Sequence, residues 1–134
     1  MSGAITKVAN GITVLTQSDL AAGEFSRELE GESLGVPASV IFVDAAPGEG
    51  PSLHLHPYAE LFFVLEGEAT FTDGEHEHTV GAGSLVVVSP QQPHAFVNPG
   101  PARLRQIDVH LNGRFDTRWL AGSDDVSVHA EGRQ

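Results

Sequence analysis

No apolar segment of this chain runs far before a glycine or proline stops it, and that punctuation constrains the fold more than any other feature. The segments are residues 12–16, 38–45 (ASVIFVDA), 60–66 (ELFFVLE), 69–72 (ATFT), 75–80 (EHEHTV), 84–89 (SLVVVS), 94–98 (HAFVN) and 102–111 (ARLRQIDVHL). Most are rich in β-branched and aromatic residues, which fit a pleated, half-buried surface. Asp73-Gly74 is a hairpin signal, because both residues tolerate the positive φ of a two-residue turn. With 15 glycines and 8 prolines in 134 residues, turns recur too often for long helices. The expectation is an all-β chain folded as a sandwich or barrel.

Helical signals are sparse. Residues 19–32 offer Asp19 as a cap, but Gly23 weakens a helix there, and a turn or loop is the alternative reading. Residues 115–120 (FDTRWL) suggest one helical turn, and the polar stretch 124–134 suggests a frayed end. The length fits one domain over residues 1–134, with no internal repeat and no linker.

The formal net charge of −11 repels phosphate backbones, so nucleic acid and anionic membrane are not expected partners. The absence of cysteine excludes disulfides and thiolate metal sites. The N-terminus lacks the pattern of a secretory signal, and no apolar run reaches a membrane-spanning length. The expected setting is cytoplasmic.

Chemistry concentrates in residues 48–60, GEGPSLHLHPYAE. On a strand, residues two apart share a face at about 6–7 Å, so His54 and His56 converge within reach of one ion. Pro57 ends that strand, and a turn through Tyr58 and Ala59 returns Glu60 beside them. Glu60 shares parity with Phe62 and Val64, and a carboxylate in such apolar company needs a partner. A cation between two imidazoles supplies one. His94, after a proline-bounded turn, is the candidate fourth ligand. Three imidazoles and a carboxylate suit Fe, Mn, Ni, Cu or Zn.

These residues resemble the cupins. The first cupin motif is a glycine, five residues, His-x-His, three or four residues, Glu, six residues and a glycine. Gly48, His54, His56, Glu60 and Gly67 occupy every fixed position. In the second motif Gly83, His94 and Asn98 match, while Ser89 stands at the proline position, with Pro90 one place later, and Gln91 at the internal glycine position. The resemblance covers roughly residues 36–112. It implies a double-stranded β-helix (jelly-roll) barrel, a homodimer, and a metal held by His54, His56, Glu60 and His94, with residues 1–35 as an extension. It also admits several functions: a dioxygenase acting on an enediol, catechol-like or dicarbonyl substrate, an isomerase or decarboxylase, or a small-molecule-binding module without turnover. In the enzyme reading Glu60 stays a ligand or swings away to accept a proton.

Other polar residues have more ordinary readings. His76 and His78 form a second His-x-His, but no carboxylate follows at the matching spacing, so an exposed pair is expected. Gln106, Asp108 and His110 share a strand face that lines the cavity or looks outward. His110 reads first as a satisfied surface histidine and second as a general base in the pocket. Arg103 and Arg105 read as a solvated face. Phe62, Val64 and Phe96 follow Glu60 and His94 inward as core or pocket wall, and Trp119 caps the barrel or enters a dimer interface.

Overall fold

The computed structural model describes residues 6–120, with side chains from residue 10 onward. Strands β1 (Thr6–Ala9) and β2 (Ile12–Val14) form a hairpin. β3 (Ala21–Ala22), β4 (Ser26–Leu29) and β5 (Ser39–Ala45) follow, then the two-residue β6 (His54–Leu55). β7 (Glu60–Glu66), β8 (Glu68–Thr72), β9 (Glu77–Gly81), β10 (Leu85–Val88), β11 (Ala95–Val97), β12 (Leu104–His110) and β13 (Arg118–Trp119) complete the series.

A six-stranded antiparallel sheet has the order β10-β7-β12-β5-β4-β3, and a three-stranded sheet has the order β11-β8-β9. β13 pairs with β6 as a short ribbon. The long strands alternate buried and less buried residues, because each presents one face to the interior. Ile41, Val43, Ala45, Phe62, Val64, Ala69, Val88, Phe96 and Leu104 form the apolar core. Phe62 sits at its centre, edge-on to Phe71 at 4.9 Å and to Phe96 at 6.0 Å. Phe62, Val64 and Phe96 therefore face inward as their parity requires.

Two elements differ from the sequence reading. Residues 19–32 are neither helix nor plain loop: β3 and β4 form a hairpin closed by Gly23 N–H donating to Ser26 O at 2.8 Å, followed by a single 3-10 turn at Gly31–Leu34. Ser26 and Glu28 are buried while Arg27 is exposed, a period of two that a helix cannot supply. β4 also pairs with β5, so the large sheet begins well before residue 36. Residues 115–120 do not form a helical turn, because Arg118 and Trp119 are drawn into pairing with Leu55 and His54. The stretch 124–134 lies outside the described residues.

Two positive-φ positions frame the site. Gly67, at φ 79, joins β7 to β8, and a Cβ there would collide with the Arg103 carbonyl oxygen. Gln91, at φ 67, is the one non-glycine with positive φ among the described residues, and it occupies the position where the cupin motif has glycine. The turn keeps the glycine-type backbone although the residue has changed. No helix among the described residues is long and apolar enough to cross a membrane.

Candidate metal centre

Three separate stretches deliver the four candidate ligands. β6 carries His54, and His56 follows directly; Glu60 opens β7; His94 precedes β11 and bridges to His54 through paired backbone hydrogen bonds of 3.0 and 2.8 Å. Gln91 N–H donates to His56 O at 2.7 Å, tying the turn before His94 to the first histidine stretch. One donor atom from each of the four residues lies within 4.8 Å of the others. All four are buried, at 1% exposure for His54, His56 and Glu60 and 4% for His94.

The backbone fixes which nitrogen each ring turns inward. His54 Nδ1 lies 2.6 Å from Ser52 O, His56 Nδ1 3.0 Å from Asp116 O, and His94 Nδ1 2.8 Å from Gln92 O. A carbonyl oxygen can only accept, so each Nδ1 carries the hydrogen. In the neutral ring Nε2 then presents a lone pair. His56 Nε2 and His94 Nε2 each lie 3.1 Å from Glu60 Oε1. Two lone pairs thus face a carboxylate oxygen, which is unfavourable unless a cation or proton stands among them. Burial first, and then the neighbouring His94 ring, lowers His54 to about 3, so this ring stays neutral as a ligand must. Burial alone would raise Glu60, but the adjacent imidazoles, His110 first and then His56 and His94, hold the carboxyl well below its ordinary range. His56 Nε2 and Glu60 Oε2 are buried with no aligned hydrogen-bond partner. Such orphaned atoms, in a ring of borderline N and O donors, fit a divalent transition metal.

His110 is fully buried, not on the surface. The polar face of β12 turns inward because the alternate face, Ile107 and Val109, belongs to the outer side of the sheet. His110 Nε2 lies 3.0 Å from Glu60 Oε2, although the angle is too poor for a well-formed hydrogen bond. Its Nδ1 is 2.7 Å from Tyr58 Oη, which accepts a hydrogen bond from Asp116 N–H. Burial pushes the Tyr58 phenol up, so it remains an O–H donor. Tyr58 therefore donates to His110 Nδ1, and the His110 hydrogen sits on Nε2, facing Glu60. This tautomer is opposite to that of the other three rings. His110 orients the carboxylate and is not counted with the ligands.

Gln106 and Asp108 are buried on the same face and joined by Gln106 Nε2 donating to Asp108 Oδ1 at 2.8 Å. Burial raises Asp108 well above its ordinary range, and the charge of Glu60 adds to the rise. Arg103 is exposed and pairs with Asp44 at 2.8 Å, and Arg105 is exposed, as their solvated reading requires. His76 is 81% exposed. Trp119 is half-buried, with its ring 4.8 Å from His54.

Sequence reasoning missed the supporting shell. Tyr58 carried a signal, since it lies between His56 and Glu60 and is the sole tyrosine. The carbonyls of Ser52, Gln92 and Asp116 carried none, because every residue but its side chain offers the same group.

Residues 41–110 match the family described as Cupin domain. Over 85 residues the chain is 31% identical to mannose-1-phosphate guanylyltransferase RfbM of Salmonella typhimurium, covering 63% of this chain and 16% of that protein. The chain thus spans about a sixth of that relative's length. Among solved structures, an uncharacterized conserved Klebsiella pneumoniae protein with a double-stranded β-helix domain aligns with TM-score 0.64 and 20% identity, over 78% of this chain and 94% of that one. Oxalate decarboxylase from Bacillus subtilis aligns with TM-score 0.68 and 22% identity, over 79% of this chain and 31% of that one. Another structure of that decarboxylase concerns its Mn(II) centres. At these identities the structures establish the fold, a double-stranded β-helix.

Proposed function

The chain belongs to the cupin family, and on that premise we propose that it is a metal-dependent enzyme. It holds a divalent transition metal through His54, His56, Glu60 and His94 and acts on a small organic molecule that chelates through oxygen. The observation that carries this reading is that two imidazoles turn Nε2 onto Glu60 Oε1 at 3.1 Å each while carbonyls occupy both Nδ1 atoms. The backbone bonds at Nδ1 prevent both rings from rotating away to find other donors. The Mn(II) centres of the decarboxylase that shares the fold are in keeping with such a site.

When bound, such an ion supplies Lewis-acid polarisation of substrate oxygens and, if redox-active, a partner for dioxygen. The residues supply the rest. One carboxylate among three imidazoles would leave one net positive charge on a divalent ion, which attracts an enolate or catecholate. His110 Nε2 stands 3.0 Å from Glu60 Oε2, which leaves Oε1 directed at His56 and His94. Phe62, 5.9 Å from His94, and Phe96 behind it keep water from the inner side of the site. The reaction we assign is dioxygenase-type oxidation of an enediol, catechol-like or dicarbonyl substrate.

Elemental analysis of protein purified without added metal, in parallel with Glu60→Ala, tests the centre. The expected result is close to one transition-metal ion per chain, lost in the variant. Retention of full metal by Glu60→Ala would refute the ligand assignment. Oxygen-electrode measurements with iron-, manganese-, nickel- and copper-loaded protein test the reaction. Turnover without oxygen uptake reassigns the site to isomerisation or decarboxylation, and tight binding without product reassigns it to a binding module.

A further inference from the structure

We infer that the unclosed seam between β9 and β10 is the substrate channel and binding cleft of the metal centre, shaped for a small, flat, apolar molecule that leads with its oxygens. This deepens the proposed function and rests on the metal reading above.

β9 and β10 are consecutive in the chain but lie on the edges of different sheets, with no ladder between them. A cavity of about 400 Å³ occupies the gap. Val86 and Val88 of β10 form one wall, Phe71 and His78 the other, and His94 lies within the lining. Register places the two valines, Phe71 and His78 on the inner faces. Val86 and Val88 stand opposite Phe62 and Glu60, and His78 stands opposite Phe71. His78 is exposed despite this inward parity, which is what an open seam produces.

His94 is the one candidate ligand that lines this cavity. The strap of residues 115–119 does not line this cavity and packs on the other rings of the centre. The Phe115 ring stands 4.9 Å from His110, Asp116 O and Thr117 Oγ1 lie 3.0 and 3.3 Å from His56 Nδ1, and the Trp119 ring lies tilted against His54 at 4.8 Å. A molecule entering from the seam meets His94 without displacing any of these contacts.

The lining sorts by depth. Phe71, Val86 and Val88 are apolar, whereas Asp73, His76 and Glu77 belong to the exposed hairpin end. An apolar body buried between the valines and Phe71 places its oxygens at the inner end, toward His94 and Glu60. Two carboxylates at the mouth and a net charge of −11 disfavour polyanions such as phosphate esters. A volume near the low end for ligand pockets fits a single ring with small substituents.

The test uses cobalt(II)-loaded full-length protein and 4-nitrocatechol, whose absorbance shifts on coordination, followed by stopped flow. Val86→Trp and His78→Trp fill the seam. Thr79→Trp adds the same bulk to the outer face of β9, where Thr79 bonds Thr70 at 2.7 Å. Cobalt content is read independently by elemental analysis. Expected are equal cobalt loading throughout, association slowed by roughly tenfold or more in both seam variants, and association within about twofold of wild type in Thr79→Trp. His78→Trp is at an exposed position and keeps the test decisive if Val86→Trp fails to fold. Full cobalt with unchanged association in the seam variants, or a loaded wild type that binds no 4-nitrocatechol, overturns the seam and leaves the metal reading standing. A wild type that takes up no cobalt overturns the metal reading itself.

Discussion

His54-Leu-His56 and His76-Glu-His78 share a pattern, and each has a histidine 3.1 Å from a carboxylate oxygen. The fold gives these contacts different meanings. His76 turns Nδ1 to Asp73 Oδ2, and Asp73 already accepts the backbone N–H groups of Glu75 and His76 through its other oxygen. Those backbone bonds, that of His76 first, hold the Asp73 carboxyl below its ordinary range, so the hairpin turn satisfies it without an ion. His56 has its Nδ1 occupied by the Asp116 carbonyl and can offer Glu60 only Nε2. A ligand set is thus made by what the backbone does with the other nitrogen, and by burial, more than by the spacing of the histidines.

The largest expected effect tests that contrast directly. Replacing His54 and His56 together by alanine should weaken metal binding by more than roughly 100-fold, beyond what losing a supporting residue costs. Replacing His76 and His78 together should leave affinity within about twofold, since exposed groups of this kind add little. Isothermal titration with zinc measures both. Loss of affinity in the hairpin double variant would collapse the distinction.

A second effect appears with pH in the metal-free protein. His54 is lowered from 6.5 to about 3, so between these values the unfolded chain binds a proton that the folded one refuses. Stability from this group is therefore full above pH 6.5 and is lost as pH falls toward 3. Nitrogen-15 NMR of the His54 ring should show a neutral Nδ1–H tautomer at pH 5. A charged ring at that pH would mean that burial does not govern the site.

The third effect concerns the positioning of Glu60. His110→Ala should reduce metal affinity by about 10–100-fold, and Tyr58→Phe by less, because the phenyl ring still fills the space but donates no hydrogen to Nδ1. His110→Gln, which can still donate toward Glu60 Oε2, should restore part of the loss; equal loss in Ala and Gln would make His110 a packing residue only.

The sequence made the four ligands legible because Gly48, Gly67 and Gly83 fix turns at set distances from them, and Glu60 stood out as a charge at a core parity. The long strands were legible for the same periodic reason: residues 60–66 became β7 without change. What escaped was set by distant pairing. β6 and β13 have two residues each and exist only because they meet. The hairpin of β3 and β4 read as a helix weakened by Gly23 or as a loop, because nothing within residues 19–32 shows that β5 is there to pair with β4. His110 was misjudged because alternation gives two faces without saying which is inside, and the usual preference sends the polar face out. Here the inner face of β12 is the polar one, since Glu60 already lies beside it.

The smallest expected effect lies in the turn that delivers His94, the element the hairpin stretch lacks. Gln91 adopts φ 67, a conformation that costs a non-glycine residue about 1–2 kcal/mol. Gln91→Gly removes that strain but loses about 0.5–1 kcal/mol to the greater freedom of glycine in the unfolded chain. The net expectation is a gain of about 0.5–1 kcal/mol, or roughly 2–4 °C in midpoint, read by thermal denaturation. The N–H that donates to His56 O is retained by glycine, so zinc affinity should not change. Gln91→Ala separates backbone from side chain: it keeps the strain and should match wild type. Destabilisation by both substitutions would show that the glutamine side chain itself secures the turn, and that its departure from the glycine of the motif is an adaptation instead of a tolerated cost.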